Sequence, residues 1–263
     1  MGKGYFIDFN YAYINNSILF KLRQNNLLGQ ISTLHSEYEL YCLIFVLGTN
    51  MTDKISQIRR DYSGKFLNKE SVGNDPIRFF NQWFDEAVKA GVLDATAMTL
   101  STISTEGLPD GRIVLLKGIE NNKFIFYTNY SSKKGQDLNS NPVGALTFYY
   151  KELDRQIRIN GTITKCSPKT SDEYFATRPI KSRIGAWISN QSHPIPSRFY
   201  LMRKFAEYSV KNIGKPVMRP PNWGGYQLEP KKIEFWQGRP NRLHDRINCV
   251  LENDEWQIER LAP

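Results

Sequence analysis

Cysteine is scarce in this chain of 263 residues: Cys42, Cys166 and Cys249 are all there is, and no two form a C-x-x-C pair. That spacing supports neither a zinc knuckle nor a disulfide framework, and a reducing, cytoplasmic setting is the expectation. Histidine is equally sparse, at three residues. No H-E-x-x-H, G-x-S-x-G or Walker glycine pattern occurs, and no acidic pair stands at glycosidase spacing, so the common signatures of metal, serine and phosphate-loop chemistry are missing. Long apolar runs are missing as well. Leu40 to Leu47 falls far short of the roughly 20 residues that cross a bilayer, and no basic segment leads into an apolar stretch with a small-residue cleavage site. An enzyme built on this chain would borrow its chemistry from a cofactor.

What is present is ordinary globular composition, 40% hydrophobic and 23% charged. Aromatics reach 13%, which suits β-structure or a site lined with rings. The net charge of +9 favours anionic partners: nucleic acid, anionic lipid or small phosphorylated ligands. Residues 1–50 balance Lys3, Lys21 and Arg23 against Asp8, Glu37 and Glu39, so the whole excess belongs to residues 51–263. The same first fifty residues lack amphipathic period, and Met51 opens a segment that reads as an ordinary protein start. We read residues 1–50 as an extension outside the functional fold, the alternative being an extra helix or strand packed on the core. Residues 51–263 show no repeat and no linker and read as one domain.

Asp75 and Pro76 are N-cap and first-turn signals, Ile77, Phe80, Phe84, Ala87 and Val88 recur at helical spacing, and Gly91 is a stop. Strands are expected at 96–103, 111–119, 123–128, 143–150, 154–164, 224–229, 231–237, 243–250 and 255–260. A Ser-capped helix is expected at 131–140, with further helices at 168–177 and 196–212. Short strands with hairpin-length turns outnumber helices and no βαβ alternation appears. The fold class is therefore mainly β, an antiparallel barrel with appended helices.

Four clusters could carry chemistry. In residues 233–246, I-E-F-W-Q-G-R-P-N-R-L-H-D-R, period-2 spacing sets Arg242, His244 and Arg246 on one strand face, where they call for an anion. A solvated cationic face with Asp245 as local partner explains them equally well. R-I-V-L-L-K, 112–117, brackets four apolar residues with Arg112 and Lys117. Y-T-N-Y-S-S-K-K, 127–134, runs from a strand into a helix start and resembles a phosphate cradle, or else a capped surface helix with two solvated lysines. Residues 174–192 carry Tyr174, Arg178, Ser182, Arg183, Gln191 and Ser192 around Pro179, a second anion-binding set or an ordinary surface helix and loop. His35 and His193 have no partner pattern and read as structural or surface residues.

In order along residues 55–263, R-I-V-L-L-K, F-Y-T-N, R-Q-I-R-I-N-G, Y-F-A-T-R-P, S-R-I-G-A-W, W-G-G, I-E-F-W-Q-G, R-L-H-D-R and R-L-A-P together resemble the pyridoxamine 5′-phosphate oxidase family. The resemblance implies a Greek-key split β-barrel homodimer with FMN in clefts between subunits. It implies oxidation of pyridoxamine and pyridoxine 5′-phosphates to pyridoxal 5′-phosphate, with O2 as acceptor giving H2O2, and with ammonia from the amine. By position, Arg112, Lys134, Gln191 and Ser192 would hold the FMN phosphate, with Tyr127, Thr128 and Lys133 nearby. Gln156, Trp236 and Arg246 would contact the flavin or its ribityl chain, and Ile113, Val114, Leu115, Leu116 and Lys117 would line the ring. The substrate phosphate would meet Lys117, Tyr174, Arg178 and Ser182, while Arg242 and His244, the catalytic pair, would lie against the pyridine. Arg59 and Tyr62 match a segment that folds over substrate in the family. Lys133 departs from the Arg frequent in relatives, which weakens any bidentate grip there. The alternatives are a related FMN flavoprotein with another substrate, or a non-catalytic nucleic-acid-binding barrel; neither metal nor membrane is expected.

Overall fold

The computed structural model describes residues 55–58 and 60–263. The expected extension at 1–50, His35, Cys42 and the expected substrate contact Arg59 lie outside the described residues.

Chain order runs α1 (Lys69–Val72), α2 (Pro76–Lys89), β1 (Ala97–Ile103), β2 (Pro109–Leu115), β3 (Gly118–Glu120), β4 (Lys123–Asn129), α3 (Lys133–Ser140), β5 (Val143–Tyr150), β6 (Arg155–Lys165), α4 (Pro168–Thr177), α5 (Ile180–Ile188), α6 (Arg198–Lys211), β7 (Trp223–Gln237), β8 (Asp245–Glu252) and β9 (Glu255–Leu261). The nine strands make one antiparallel sheet in the order β2-β1-β5-β6-β7-β4-β3, with β8 and β9 branching from β7. The sheet curls without closing, a split barrel. Its open seam is crossed by the residues after β2: Leu116 N–H donates to Thr96 O at 2.8 Å and Lys117 N–H to Ile125 O at 2.8 Å.

The core is aromatic. Phe80 sits edge-on to Phe124 and Phe148, and Phe79 and Trp83 pack on Phe235. Asp75 caps α2 by accepting from the N–H groups of Ile77 and Arg78. The buried stripe of that helix is Ile77, Phe79, Phe80, Trp83 and Ala87. Val88, expected on the core side, is exposed because the stripe turns toward Phe79 and Trp83 instead. Burying a ring of this size stabilises by roughly 1.5–3 kcal/mol, so α2 is held mainly by this plug.

The other departures from expectation have local causes. The 111–119 run is two strands, broken where Leu116 and Lys117 leave β2 to bridge the seam. The 224–229 and 231–237 runs are one 15-residue strand that passes straight through Pro230. The irregularity falls beside that proline: Asn160 pairs with Lys232 and Gly161 with Pro230, so Lys231 is the extra residue of a bulge in β7. Gly161 is required there, since a Cβ would meet Glu229 O at 2.0 Å. Ser132 stands at the N-cap of α3 without capping it, because its hydroxyl donates to Asn129 O at 2.7 Å. An additional helix, α5, starts after Pro179, which ends α4 and supplies the fixed φ of a helix entry.

Candidate functional site

A cavity of about 900 Å³ opens where β2, β4, α3, α4, α5 and the start of β7 converge. It is large enough for two small ligands, at the upper end of ordinary binding sites. Arg112, Ile113, Val114, Leu115 and Lys117 line it, as do Tyr127, Thr128, Lys134, Tyr174, Arg178, Ser182, Gln191 and Ser192. Three of the four clusters singled out in the sequence thus meet in one place. Leu116 is the exception within its run: its side chain is buried in the core.

At one end of the cavity stand Arg112, Thr128, Lys134 and Gln191. Arg112 Nη1 donates to Thr102 Oγ1 at 2.6 Å and Leu100 O at 3.3 Å, and its Nη2 pairs with Asp110. Gln191 Oε1 accepts from Lys134 Nζ and Thr128 Oγ1, both at 3.2 Å. Lys134 is buried, and its ammonium has no ion pair among the described residues. Burial and then the neighbouring Arg112 hold its pKa below that of an ordinary lysine, with Asp110 opposing them. An anion placed between Arg112 and Lys134 relieves that cost.

Lys133 turns the other way. Its ammonium reaches Asp137 Oδ1 at 2.5 Å, one helical turn on, and it does not line the cavity. Asp137 is almost wholly buried and also accepts from Thr102 Oγ1 at 2.8 Å. Burial raises its pKa, but hydrogen bonds from Lys133 and Thr102 and the charges of Lys133 and Arg112 overcome this and hold it below the usual carboxylate range.

The opposite end is aromatic and cationic. Tyr127 and Tyr174 stack at 3.8 Å, and Trp223 continues the stack at 5.6 Å from Tyr127. The Arg178 guanidinium lies over Trp223 at 4.5 Å, and its Nη1 is buried with no hydrogen-bond partner among the described residues. Burial lowers the Arg178 pKa, with Tyr174 opposing it, and burial pushes the Tyr127 hydroxyl up to about 12. An orphaned guanidinium nitrogen in a cavity that Ser182 and Lys117 also line suits a second anion.

Tyr62, Gln156, Trp236, Arg242, His244 and Arg246 are elsewhere, grouped at the far end of β7. Gln156 and Arg246 are the cross-strand partners of Trp236 on its two sides. Tyr62 meets Trp236 edge-on at 5.6 Å and His244 at 5.1 Å, and Trp236 and His244 lie 4.7 Å apart. Arg242, His244 and Arg246 do not share a strand face. β8 begins only at Asp245, and Asn241 and Arg242 occupy a tight turn with positive φ. Asp245 is no partner of Arg242; it accepts from Arg260 at 2.6 Å and from Leu67 N–H at 3.2 Å. Arg246 has its own counter-ion in buried Glu234, at 3.0 Å, shared with Arg158 at 3.3 Å.

Sequence reasoning missed Thr102, Asp110, Asp137, Trp223 and Glu234. The i,i+4 spacing of Lys133 and Asp137 was a usable signal, and so was the alternation that sets Glu234 beside Trp236. Trp223 opens the W-G-G motif but was given no role, and Thr102 reaches the site only through strand pairing and carried no signal.

Residues 84–212 match the family described as pyridoxamine 5′-phosphate oxidase, and residues 223–263 match a pyridoxine 5′-phosphate oxidase C-terminal dimerisation region. A Bacteroides thetaiotaomicron protein named pyridoxine/pyridoxamine 5′-phosphate oxidase is 51% identical over 210 residues, 80% of this chain and 99% of that one. A protein of the same name from Cytophaga hutchinsonii is 49% identical over 81% of this chain and all of its own length. Among solved structures, PhzG from Burkholderia lata, in complex with tetrahydrophenazine-1-carboxylic acid, is 28% identical with a TM-score of 0.72, covering 76% of this chain and all of that one. A pyridoxamine 5′-phosphate oxidase-related, FMN-binding protein from Nostoc punctiforme shares the fold, at 17% identity and a TM-score of 0.58 over 70% of this chain and 97% of its own.

Proposed function

The chain belongs to the pyridoxamine 5′-phosphate oxidase family, and on that premise we propose that its cavity and its β7 ring cluster are two halves of one FMN site, completed by a second copy of the chain. The activity is that of the family: oxidation of pyridoxamine and pyridoxine 5′-phosphates to pyridoxal 5′-phosphate. The observation that carries the reading is the cavity with two separate cationic ends, one around Arg112 and Lys134 and one around Arg178. Two phosphorylated ligands side by side, cofactor and substrate, need such a pair.

The residues fit FMN. Arg112, Lys134, Thr128, Gln191 and Ser192 would hold its phosphate, with Tyr127 near and Ile113, Val114, Leu115 and Lys117 along its ring. Lys133 and Leu116 drop out of that set, since one is tied to Asp137 and the other is in the core. When bound, FMN would take up the two electrons of the oxidation and pass them to O2, giving H2O2. Lys117, Tyr174, Arg178 and Ser182 would hold the substrate phosphate, a group unchanged by the reaction, so their part is binding and orientation. Arg242 and His244 of one copy would meet the pyridine ring held by the other. Gln156, Trp236 and Arg246 of that same copy would meet the flavin, and Tyr62 would cover the pair.

The argument for a second copy is length. The cavity includes Trp223 and the ring cluster includes Trp236, at opposite ends of a 15-residue strand, up to about 45 Å at strand rise. A dimerisation region over 223–263 supplies the partner, and two buried free thiols, Cys166 and Cys249, agree with a cytoplasmic setting. The test is the absorbance spectrum of the purified protein, followed by H2O2 release with pyridoxine 5′-phosphate. A flavin spectrum with about one FMN per chain and peroxide formation is expected; a colourless protein that takes up no FMN would sink the reading.

A further inference from the structure

Thr102 is buried in β1, at 1% exposure, and its one hydroxyl stands between two charged groups. Arg112 Nη1 donates to Thr102 Oγ1 at 2.6 Å, and Thr102 Oγ1 donates to Asp137 Oδ2 at 2.8 Å. Neither neighbour leaves a choice. A guanidinium only donates and an ionised carboxylate only accepts, so the hydroxyl proton lies on the Asp137 side and a lone pair faces Arg112. Asp137 is kept ionised and in place by Lys133, whose ammonium holds the other carboxylate oxygen at 2.5 Å.

This relay joins three elements. Lys133 and Asp137 belong to α3, Thr102 to β1 and Arg112 to β2. Leu100 pairs with Arg112 and Thr102 with Asp110, so Thr102 and Arg112 are diagonal neighbours on one face of the hairpin. β2 ends the sheet and pairs with β1. Lys134, the other cation at this end of the cavity, is carried by α3. The two cations thus have no element in common, and the relay ties one of them to the helix of the other.

We propose that Thr102 is a positioning residue for the anion at this end of the cavity: its hydroxyl, aimed by Asp137, holds Arg112 so that the guanidinium edge formed by Nε and Nη2 is left to the cofactor phosphate. The inference rests on the function proposed above, which puts that phosphate here.

The hydrogen bonds of Arg112 support it. Among the described residues both leave from Nη1, to Thr102 and to Leu100 O at 3.3 Å. Nη2 is buried and makes none; it meets the Asp110 carboxylate as an ion pair and lies 3.8 Å from Asp137 Oδ2. The Nε–Nη2 edge is one on which arginine grips an oxyanion with two parallel bonds. Lys133 also offsets the charge of Asp137, so the carboxylate steers the hydroxyl with less repulsion toward an incoming anion.

Titration of the full-length apoprotein, followed by flavin fluorescence, compares FMN with riboflavin, which lacks the phosphate. Thr102→Val keeps the shape of the side chain and removes the hydroxyl; Thr102→Ser keeps the hydroxyl. Thr102→Val should weaken FMN binding about tenfold, the worth of one hydrogen bond, and leave riboflavin binding as in the wild type. Thr102→Ser should retain both affinities. In an Arg112→Leu background, Thr102→Val should weaken FMN no further, because the hydroxyl acts only through Arg112. Thr102→Ala carries the same expectations if valine prevents folding. Equal losses for FMN and riboflavin mark a hydroxyl that merely ties α3 to the sheet, and an unchanged FMN affinity marks one with no part in the grip; either overturns the proposal alone. A wild-type chain that binds FMN no tighter than riboflavin does not hold the phosphate here, and the functional reading then falls together with the proposal.

Discussion

The cavity and the ring cluster hold their charges in opposite ways. Around the cavity, Lys134 has no acid partner among the described residues and Arg178 keeps an unpartnered nitrogen, so cationic groups are left in deficit. Around the ring cluster the arginines other than Arg242 have partners within the chain. Arg246 has Glu234, Arg260 has Asp245, and Arg239 donates to Gly64 O. A region whose charges await a partner is built to bind an anion; a region whose charges are largely neutralised, with Arg242 alone left over, is built to present surfaces of fixed shape. The split teaches that recognition of phosphate and orientation of the reacting ring are separate tasks, assigned to opposite ends of β7.

The sharpest way to break that comparison is to mix damaged halves. Arg178→Ala spoils the cavity end and Trp236→Ala the ring end. If sites are shared, a mixed dimer contains one site with both defects and one with neither. Assayed at pyridoxine 5′-phosphate near the wild-type KM, where each variant alone is strongly impaired, refolding the two together should restore about a quarter of wild-type activity, since half the dimers are mixed and each regains one of two sites. No recovery would mean that each chain completes its own site.

The two ends should also differ kinetically. Arg178→Ala removes a contact to a group that is the same in ground and transition states. It should raise KM for pyridoxine 5′-phosphate about 10- to 200-fold, the 1.5–3 kcal/mol of a charge-assisted hydrogen bond, with kcat nearly unchanged. Arg242→Leu, at the ring end, should lower kcat as well as kcat/KM while FMN stays bound. If the two effects are exchanged, so are the assignments.

A smaller effect comes from pH. Phosphate binding needs the Lys134 ammonium, whose pKa is lowered chiefly by burial. FMN affinity should therefore be full below that lowered pKa and fall as pH rises through it, earlier than an exposed lysine would allow. Lys134→Arg stays charged and should lose this alkaline limb, as fluorescence titration of the apoprotein with FMN would show. Smallest of all should be deletion of residues 1–50, since both regions lie downstream; FMN content and turnover of the truncated chain should match the full chain.

Much of this architecture was legible because it is local. The Asp75–Pro76 cap, the alternation of Ile157 and Ile159, and the strand at 143–150 depend on neighbours within a few residues. The three clusters of the cavity were legible as chemistry, since Arg112, Lys134 and Arg178 are charges without obvious partners. What stayed hidden depends on pairing over long distances. Nothing near Arg242 announces the positive-φ turn that takes it off the strand, and nothing near Glu234 announces that two arginines from neighbouring strands will converge on it. The continuity of β7 through Pro230 is hidden for the same reason: its tolerance comes from a bulge at Lys231 that exists only in the pairing of β7 with β6, seventy residues earlier.

That long strand also sets the timetable by which the molecule can form. β7 lies between β6 and β4 and pairs with both, yet it is made after either. At about 5–20 residues per second, a growing chain carries β4 for roughly 5–20 s before Gln237 is added. Throughout that interval the inner edges of β4 and β6 are unpaired, and Phe124, Phe126, Ile157 and Ile159, all fully buried in the finished fold, lack part of their cover. A nascent chain stalled before residue 223 presents two open β-edges rich in aromatic and branched side chains, the arrangement from which strands of separate molecules join. Release from the ribosome must follow completion of β7 closely, and premature termination anywhere between β6 and β7 yields an aggregating fragment instead of a weakened enzyme.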